Sequence, residues 1–302
     1  MDSRLTERRN PRTADIDVAT SYEIVEMLNR EDAEALAAVR AVREAVVRTI
    51  EIVVSAFGAG GRLIYVGAGT SGRLGVLDAA ECPPTFGSPP ELVSAIIAGG
   101  LPALTKSQEG AEDDSEAGAL ELAAREPSKN DVVIGIAASG TTPFVRGAIL
   151  SAQDFGCKTA LITCSDPPGD LAAICDEVVV ARVGPEAVTG STRLKAGTAT
   201  KLILNSITTA AMIRSGKVYG NLMVDLMASS DKLTDRGERI VMEVCDVERD
   251  VARQAIEDAG GSVKLAIVML GLGENANEAR RRLDAAQGFV RKVLGDPPPV
   301  TG

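Results

Sequence analysis

The chain has no histidine and no tryptophan, and only 3% of its 302 residues are aromatic. The absence of histidine excludes Ser–His and Cys–His pairs, imidazole metal sites and histidine acid–base catalysis. Any proton transfer would have to use Glu, Asp, Lys, Tyr or Cys. Of all the properties of the composition, this absence restricts the possible chemistry most.

The cysteines do not form a disulfide or zinc-knuckle pattern. There are five of them, an odd number, and no two stand in a C-x-x-C pair. We expect reduced thiols, most of them buried as small apolar side chains. They are Cys82, Cys157, Cys164, Cys175 and Cys245.

Targeting and membrane segments are also missing. The residues Met1–Thr6 contain no apolar signal core, and no apolar run reaches the ~20 residues that a membrane span requires. The sequence therefore predicts a cytoplasmic protein that does not interact with membranes.

The net charge of −10 is unfavourable for nucleic-acid binding, which needs a basic surface. An anionic small molecule remains possible, because a few backbone amides and one or two cations can bind a phosphate locally. We therefore predict no nucleic-acid partner.

Aliphatic runs alternate with helical stretches over most of the chain. This alternation predicts an α/β fold with a doubly wound parallel sheet flanked by helices, whose ligand site lies beyond the carboxyl ends of the strands. The predicted strands are Leu63–Val66, Leu92–Ala98, Asp131–Ala137, Thr159–Thr163 and Glu177–Ala181. The predicted helices are Glu34–Phe57, Arg73–Ala80, Leu101–Arg125, Pro143–Phe155, Leu171–Cys175 and Leu194–Ile213.

Changes of composition suggest three regions. Residues 1–56 form a polar arm and helices that pack on the core, and residues 57–225 form the sheet domain. Residues 226–302 form a small C-terminal helical domain with helices at Asp231–Ala259 and Asn275–Leu294 and a disordered tail. Between those helices, Val263–Leu270 fits either a buried helix or a strand.

Two loops rich in glycine and hydroxyl groups follow predicted strands. The first, Gly67–Gly72, matches the dinucleotide pattern G-x-G-x-x-G, but the second strand ends without the acidic residue that would hold a ribose. Phosphate binding explains both loops better, because glycine allows close approach and helix N-termini offer free amides. Helix capping is the alternative function of these hydroxyl groups, and it is compatible with phosphate binding. The candidate ligands are Gly69, Thr70, Ser71, Ser139, Gly140, Thr141 and Thr142.

Longer motifs carry a family resemblance. The two loops resemble those of sugar isomerase (SIS) domains, which bind phosphosugars, and the longer strings resemble the N-acetylmuramic acid 6-phosphate etherases. The resemblance spans nearly the whole chain, to about residue 294. The matching strings are Leu5–Asn10, Asp15–Asp17, Gly67–Gly75, Asp78–Gly87, Glu109–Asp113, Gly135–Gly140, Val188–Ala199 and Ser215–Asp225.

The resemblance implies cleavage of the lactyl ether of a phosphorylated amino sugar in cell-wall sugar recycling, with no metal or organic cofactor. It also implies a homodimer. By the same resemblance Glu81 and Glu112 are the catalytic pair, and we assign Glu81 as the acid and Glu112 as the base. We expect Pro83 and Pro84 to end the helix after Glu81, and the negative end of the helix dipole would then favour protonated Glu81.

The sequence leaves some alternatives open. Lys195 and Arg193 either meet an anionic group of the substrate, with Lys195 the stronger candidate, or are surface cations. A phosphosugar-binding regulator would share the fold without catalysis, but the sequence has neither a basic helix-turn-helix nor a second sugar-phosphate domain. An aldose–ketose phosphate isomerase would share proton abstraction at C2 but would need no acid directed at C3.

Overall fold

A computed structural model describes residues 5–226 and 231–299 of the chain. Five parallel strands form a sheet in the order β2-β1-β3-β4-β5. The strands are β1 (Leu63–Gly67), β2 (Val93–Ile97), β3 (Val132–Ile136), β4 (Lys158–Thr163) and β5 (Glu177–Val180). All five residues of β1 and of β3 are buried, as expected for strands covered on both faces. The predicted doubly wound parallel sheet is confirmed.

Helices cover both faces of this sheet. The helices before, between and after the strands are α1 (Ser21–Ala41), α2 (Arg43–Gly58), α3 (Gly69–Phe86), α4 (Ser115–Ala123), α5 (Pro143–Asp154), α6 (Gly169–Ile174) and α7 (Lys195–Arg214). On one face Ile64, Val66 and Val133 pack with Leu122 of α4 and Phe144 of α5. On the other face α3 approaches so closely that a Cβ on its Gly75 would lie 3.1 Å from Tyr65 Cβ.

The N-terminal region contains more helix than the sequence predicted. In place of one helix over Glu34–Phe57, α1 and α2 are separated by Val42, whose ψ of 13° leaves the helical region. The helix α1 starts at Ser21, because Thr20 and Glu23 form a capping box that the sequence analysis overlooked. The polar arm before it forms short 3₁₀ turns at Leu5–Glu7, Pro11–Thr13 and Ile16–Val18.

The helix that carries Glu81 does not end where it was predicted to end. The α3 helix continues through Pro83 and Pro84 to Phe86, so the prediction that these prolines stop it is wrong. Two prolines remove only the two backbone hydrogen bonds to the carbonyls four residues earlier. The amide of Gly87 still closes the final turn by donating to Pro83 O at 2.9 Å. Glu81 is therefore not at the helix C-terminus, and the helix dipole does not favour its protonated form as predicted.

The predicted helix Leu101–Arg125 is also wrong over most of its length. Its α-helical part is only α4, preceded by 3₁₀ turns at Leu101–Leu104 and Ala111–Asp113. Within this range Gly110 adopts a positive φ and breaks the helical path. Asp114 then caps α4 by accepting a hydrogen bond from Ala117 N at 2.8 Å.

Internal contacts divide the chain into two compact units, Met1–Ala80 with Pro90–Thr208 and Glu81–Pro89 with Thr209–Gly302. The regional boundaries predicted at residues 57 and 226 stay a prediction. Among the helices of the described residues, none combines the length and hydrophobicity of a bilayer-spanning segment.

The second unit is mainly helical. It contains a short hairpin of β6 (Val218–Tyr219) and β7 (Leu222–Met223), followed by five helices. The helices are α8 (Asp231–Cys245), α9 (Arg249–Asp258), α10 (Val263–Leu272), α11 (Ala276–Ala285) and α12 (Val290–Leu294). The ambiguous segment is thus the helix α10, and each long predicted helix is split in two. The breaks lie at residues with positive φ, Asp246 in one case and Gln287 and Gly288 in the other. The predicted disordered tail begins at Asp296, and residues 296–299 belong to the described part of the chain, where Asp296 pairs with Arg291 at 2.9 Å. Residues 300–302 lie outside the described residues.

Candidate active site

The two hydroxyl-rich loops leave the sheet at its topological switch point. The chain places β2 on one side of β1 and β3 on the other, so the strand order reverses between β1 and β3. Gly67 pairs with Ile136, and the two strands therefore end at the same level. Ligands of open α/β sheets bind in the crevice at this point.

The first loop is very short because α3 starts at Gly69, two residues after the end of β1. Gly67 and Gly72 lie against each other: a Cβ on Gly72 would be 2.7 Å from Gly67 O and 2.6 Å from Ile97 Cγ1. Gly69 has a φ of +53° and no atom within 4 Å of an added Cβ. The amides and hydroxyls of Thr70 and Ser71 lie in the first turn of the helix, where N–H groups have no helical acceptor. This arrangement suits a phosphate.

The second loop presents its hydroxyl groups without using all of them as helix caps. Ser139 Oγ and Thr141 Oγ1 are 2.9 Å apart, and Thr141 N donates to Ser139 Oγ at 3.3 Å. Gly140 has a φ of +74°, with Pro167 Cα and Cβ both 2.9 Å from the position of an added Cβ. Thr142 is the N-cap residue of α5, but its side chain makes no capping hydrogen bond. Capping therefore does not account for the Thr142 hydroxyl.

A cavity of about 240 Å³ lies beside the first loop. Ala68 of the first loop contributes one wall together with Gly69 and Arg73 of α3, and residues 98–112, which follow β2, contribute the rest. Glu112 lies at this cavity on the 3₁₀ turn Ala111–Asp113, where its side chain is exposed. The lining residues are Ala68, Gly69, Arg73, Ala98, Ala103, Ser107, Gln108, Glu109, Gly110, Ala111 and Glu112.

Arg73 fixes the wall of this cavity. Its Nε donates to Ala103 O at 3.0 Å and to Leu104 O at 3.2 Å, which ties the 3₁₀ turn Leu101–Leu104 to α3. Arg73 was not among the site residues predicted from the sequence, although a basic residue directly after G-x-G-x-x-G was a visible signal.

Glu81 is an exposed residue of α3, three turns after Gly69, and belongs to the segment Glu81–Pro89 of the second compact unit. One turn before it, Asp78 is buried and accepts hydrogen bonds from Tyr65 Oη (3.1 Å) and Thr208 Oγ1 (3.2 Å). Burial raises the pKa of Asp78, and these two hydrogen bonds offset part of the effect. Asp78 thus anchors this helix to β1 and α7.

Lys195 is not a surface cation. Its side chain is 1% exposed, and its ammonium donates to the carboxylate of Glu31, which is itself 2% exposed. Burial of Glu31 acts to raise its pKa, but hydrogen bonds from Arg12, Lys195 and Asn10 prevail and hold that pKa at about 2. Arg193, in contrast, is exposed.

The beginning of α7 is held from a second side by Glu186, which is completely buried. Its carboxylate accepts hydrogen bonds from Lys195 N (3.0 Å) and Ala196 N (2.9 Å). Burial raises the pKa of Glu186, and these amides lower it in part. Gly197 follows Lys195 by two residues, and a Cβ added to it would lie 3.6 Å from Thr70 Cγ2. The helix α7 therefore begins against the first loop. Nothing in the local sequence pointed to Glu31 or Glu186 as partners.

The structure thus gathers part of the predicted set. Gly69 and Glu112 share one cavity, and the two hydroxyl-rich loops follow neighbouring strands. The Lys195 side chain is turned to Glu31, so it binds this acid instead of lying open to solvent. Within residues 5–226 and 231–299, no group of three His, Cys, Asp or Glu side chains could hold a metal ion.

Comparisons with known proteins match nearly the whole chain. A family model described as the glucokinase regulatory protein N-terminal SIS domain matches residues 44–153. The N-acetylmuramic acid 6-phosphate etherase of Aeromonas hydrophila is 50% identical over 290 residues, which are 96% of this chain and 97% of that protein. The enzyme of the same name from Salinibacter ruber is 52% identical over 290 residues, 96% of this chain and 93% of that protein.

One solved structure supports the fold. A phosphoheptose isomerase from Francisella tularensis matches with a TM-score of 0.50 at 19% identity and covers 64% of this chain and 98% of that chain.

Proposed function

The chain belongs to the N-acetylmuramic acid 6-phosphate etherase family and is an enzyme of this kind, and we propose that it works by eliminating lactate and then adding water. The products are N-acetylglucosamine 6-phosphate and D-lactate. The near-full-length identity of 50% to such an etherase carries the assignment. The cavity that joins Glu112 to the first phosphate loop supports it.

Elimination avoids the direct hydrolysis of an ether, in which a poor alkoxide leaving group would depart. In the open-chain sugar the aldehyde acidifies the proton on C2, and a base removes it. Lactate leaves from C3 as its ether oxygen receives a proton, and water then adds to the unsaturated aldehyde. In a chain without histidine, two carboxylates can perform both proton transfers.

We assign Glu112 as the base at C2 and Glu81 as the acid that protonates the departing ether oxygen. The assignment of Glu112 is supported by its exposed side chain, which lines the same cavity as Gly69. For Glu81 the support is the matched motif and its exposed place on α3, the helix that begins at the phosphate loop.

The 6-phosphate binds to the amides and hydroxyls of the two loops. Gly69, Thr70 and Ser71 supply the first set of donors, and residues 139–142 supply the second. Lys195 remains a proposed contributor to substrate binding. Its support is that α7, which it opens, begins against Thr70.

The remaining partner and location assignments are proposals as well. We propose a cytoplasmic homodimer that binds no nucleic acid and no membrane. Tyr22, Val25 and Leu36 lie on one face of α1 with exposures of 76%, 54% and 48%, which supports a contact with a second copy. Light scattering of the purified chain measures the mass that tests the dimer.

The test follows N-acetylmuramic acid 6-phosphate in deuterated water by NMR. We expect wild type to release lactate and to place deuterium at C2. Glu81→Gln should still exchange the C2 proton but release lactate at least 100-fold more slowly, since loss of an acid typically costs roughly 10²–10⁴. Glu112→Gln should lose both reactions.

The matched control is Glu121→Gln, which removes an exposed carboxylate from α4. It should behave as wild type. Binding without either reaction would support the alternative of a phosphosugar-binding regulator, and C2 exchange without lactate release would support an isomerase.

A further inference from the structure

The cavity beside the first loop has one cationic wall residue. Among the described residues that line it, Arg73 is the one cation, whereas Glu109 and Glu112 are anions. We propose that Arg73 binds the carboxylate of the lactyl group and thereby selects lactyl ethers over unsubstituted sugar phosphates. This inference rests on the proposed function and adds a specificity-determining residue to it.

The donors of Arg73 are only partly used by the protein. A guanidinium has five N–H donors, and the Nε donor is shared between Ala103 O and Leu104 O. Within residues 5–226 and 231–299, Arg73 makes no further hydrogen bond or ion pair. The side chain is only half-buried, and it is held rigidly through Nε. Its two terminal amino groups therefore remain for a ligand.

The charges of the cavity require such a cation. The substrate has two anionic groups, the 6-phosphate and the lactyl carboxylate, and the two hydroxyl-rich loops account for the phosphate only. Without Arg73, a carboxylate in this cavity would meet Glu109 and Glu112 with no opposite charge. The planar fork of arginine matches a carboxylate with two parallel hydrogen bonds.

The size of the cavity also fits a part of the substrate. Pockets for whole small molecules measure about 300–1,000 Å³, and this cavity measures about 240 Å³. It therefore suits a subsite for a small substituent, next to the loop that begins the phosphate site at Gly69. During the reaction the same contact would hold the carboxylate of the departing lactate while its ether oxygen is protonated.

Two unreactive ligands that differ only in the lactyl group test the proposal. N-acetylmuramitol 6-phosphate and N-acetylglucosaminitol 6-phosphate lack the aldehyde, so neither can undergo elimination. Calorimetry would measure both affinities for the full-length chain, for Arg73→Gln and for Arg73→Lys. We expect Arg73→Gln to weaken the lactyl ligand about 10- to 100-fold, the range of a lost charge-assisted contact.

The other ligand should bind Arg73→Gln within about twofold of wild type, because the phosphate contacts remain. Arg73→Lys keeps the charge without the fork and should give an intermediate loss. Arg280→Gln, which removes an exposed arginine of α11, is the matched control and should change neither affinity.

An equal loss for both ligands would overturn the proposal, because Arg73 would then only hold the turn Leu101–Leu104 or contact the phosphate. No loss for either ligand would overturn it too. If the wild type bound neither alditol, the proposed function would fall together with this inference. If the wild type bound both alditols but did not cleave N-acetylmuramic acid 6-phosphate, only the etherase assignment would be wrong.

Discussion

The buried ion pair between Glu31 and Lys195 gives the sharpest prediction about stability. Glu31 accepts hydrogen bonds from Lys195 Nζ, from Arg12 Nε at 2.5 Å and from Asn10 Nδ2 at 2.7 Å. Replacing Glu31 by Gln keeps the shape of the side chain but removes its charge. The Lys195 ammonium, 1% exposed, would then be buried without an opposite charge.

The pKa of Glu31 sets the size of the effect. Its value falls from 4.5 to about 2 in the folded chain. At 1.36 kcal/mol per pKa unit, this shift corresponds to about 3 kcal/mol of folding free energy. Removing one partner of a buried pair costs a similar amount, roughly 3–5 kcal/mol. We therefore expect Glu31→Gln to lower the free energy of unfolding by about 3 kcal/mol at neutral pH.

The pH dependence follows from the direction of the shift. Because the folded pKa lies below the unfolded pKa, the stabilisation is fully present above pH 4.5 and is lost as the pH falls through about 2. The difference between wild type and Glu31→Gln should therefore shrink as the pH is lowered across this interval.

Urea unfolding followed by far-ultraviolet circular dichroism measures this difference, since the chain has no tryptophan for fluorescence. Glu26→Gln is the matched control: it breaks an exposed pair with Arg30 on the same helix and should cost at most about 0.5 kcal/mol. The double variant Glu31→Gln with Lys195→Met should be more stable than Glu31→Gln alone. The proposed stabilisation by the Glu31 carboxylate is refuted if Glu31→Gln lowers the free energy of unfolding by less than about 1 kcal/mol. It is also refuted if this loss does not depend on pH.

Two further predictions concern the first loop and the thiols. Gly72→Ala should lower the melting temperature and the affinity for a sugar phosphate, because the added Cβ would lie 2.6 Å from Ile97 Cγ1. Gly58→Ala is the control and should lower neither, because a Cβ at that position has no atom within 4 Å. Equal effects of the two substitutions would contradict this prediction. Native thiols should react slowly with iodoacetamide at pH 8, because burial raises the pKa of Cys164 to about 12 and of Cys157 to about 11. Mass spectrometry should find five modified cysteines after unfolding in urea, and rapid labelling of native Cys164 would contradict the packing described.

Local patterns predicted those elements whose signals are contiguous in the chain. All five strands of the sheet were predicted within one or two residues, because buried aliphatic runs bounded by glycine and polar residues leave few alternatives. Helix ends were predicted less well. The continuation of α3 through Pro83 and Pro84 depends on the rest of its turn, and the short helix α4 depends on glycine conformations that spacing does not reveal.

The candidate site divides in the same way. The two hydroxyl-rich loops were recognisable from composition, and the proposed catalytic residues Glu81 and Glu112 from long motifs. Arg73 stood in a recognised motif but had no visible role until the cavity showed which residues surround it. Asp78 likewise lay in a matched string, and only the packing of α3 on Tyr65 and Thr208 revealed it as a buried anchor.

The sequence by itself determined the parallel sheet, the two hydroxyl-rich loops that follow β1 and β3, and the exclusion of histidine chemistry, because each depends on neighbouring residues or on composition alone. Only the tertiary structure decided that Lys195 pairs with Glu31, 164 positions away, and that Arg73 and Glu112 share a cavity. Charged groups that leave water must find partners wherever the fold brings them. That choice is made by the packing of distant segments, which no local pattern contains.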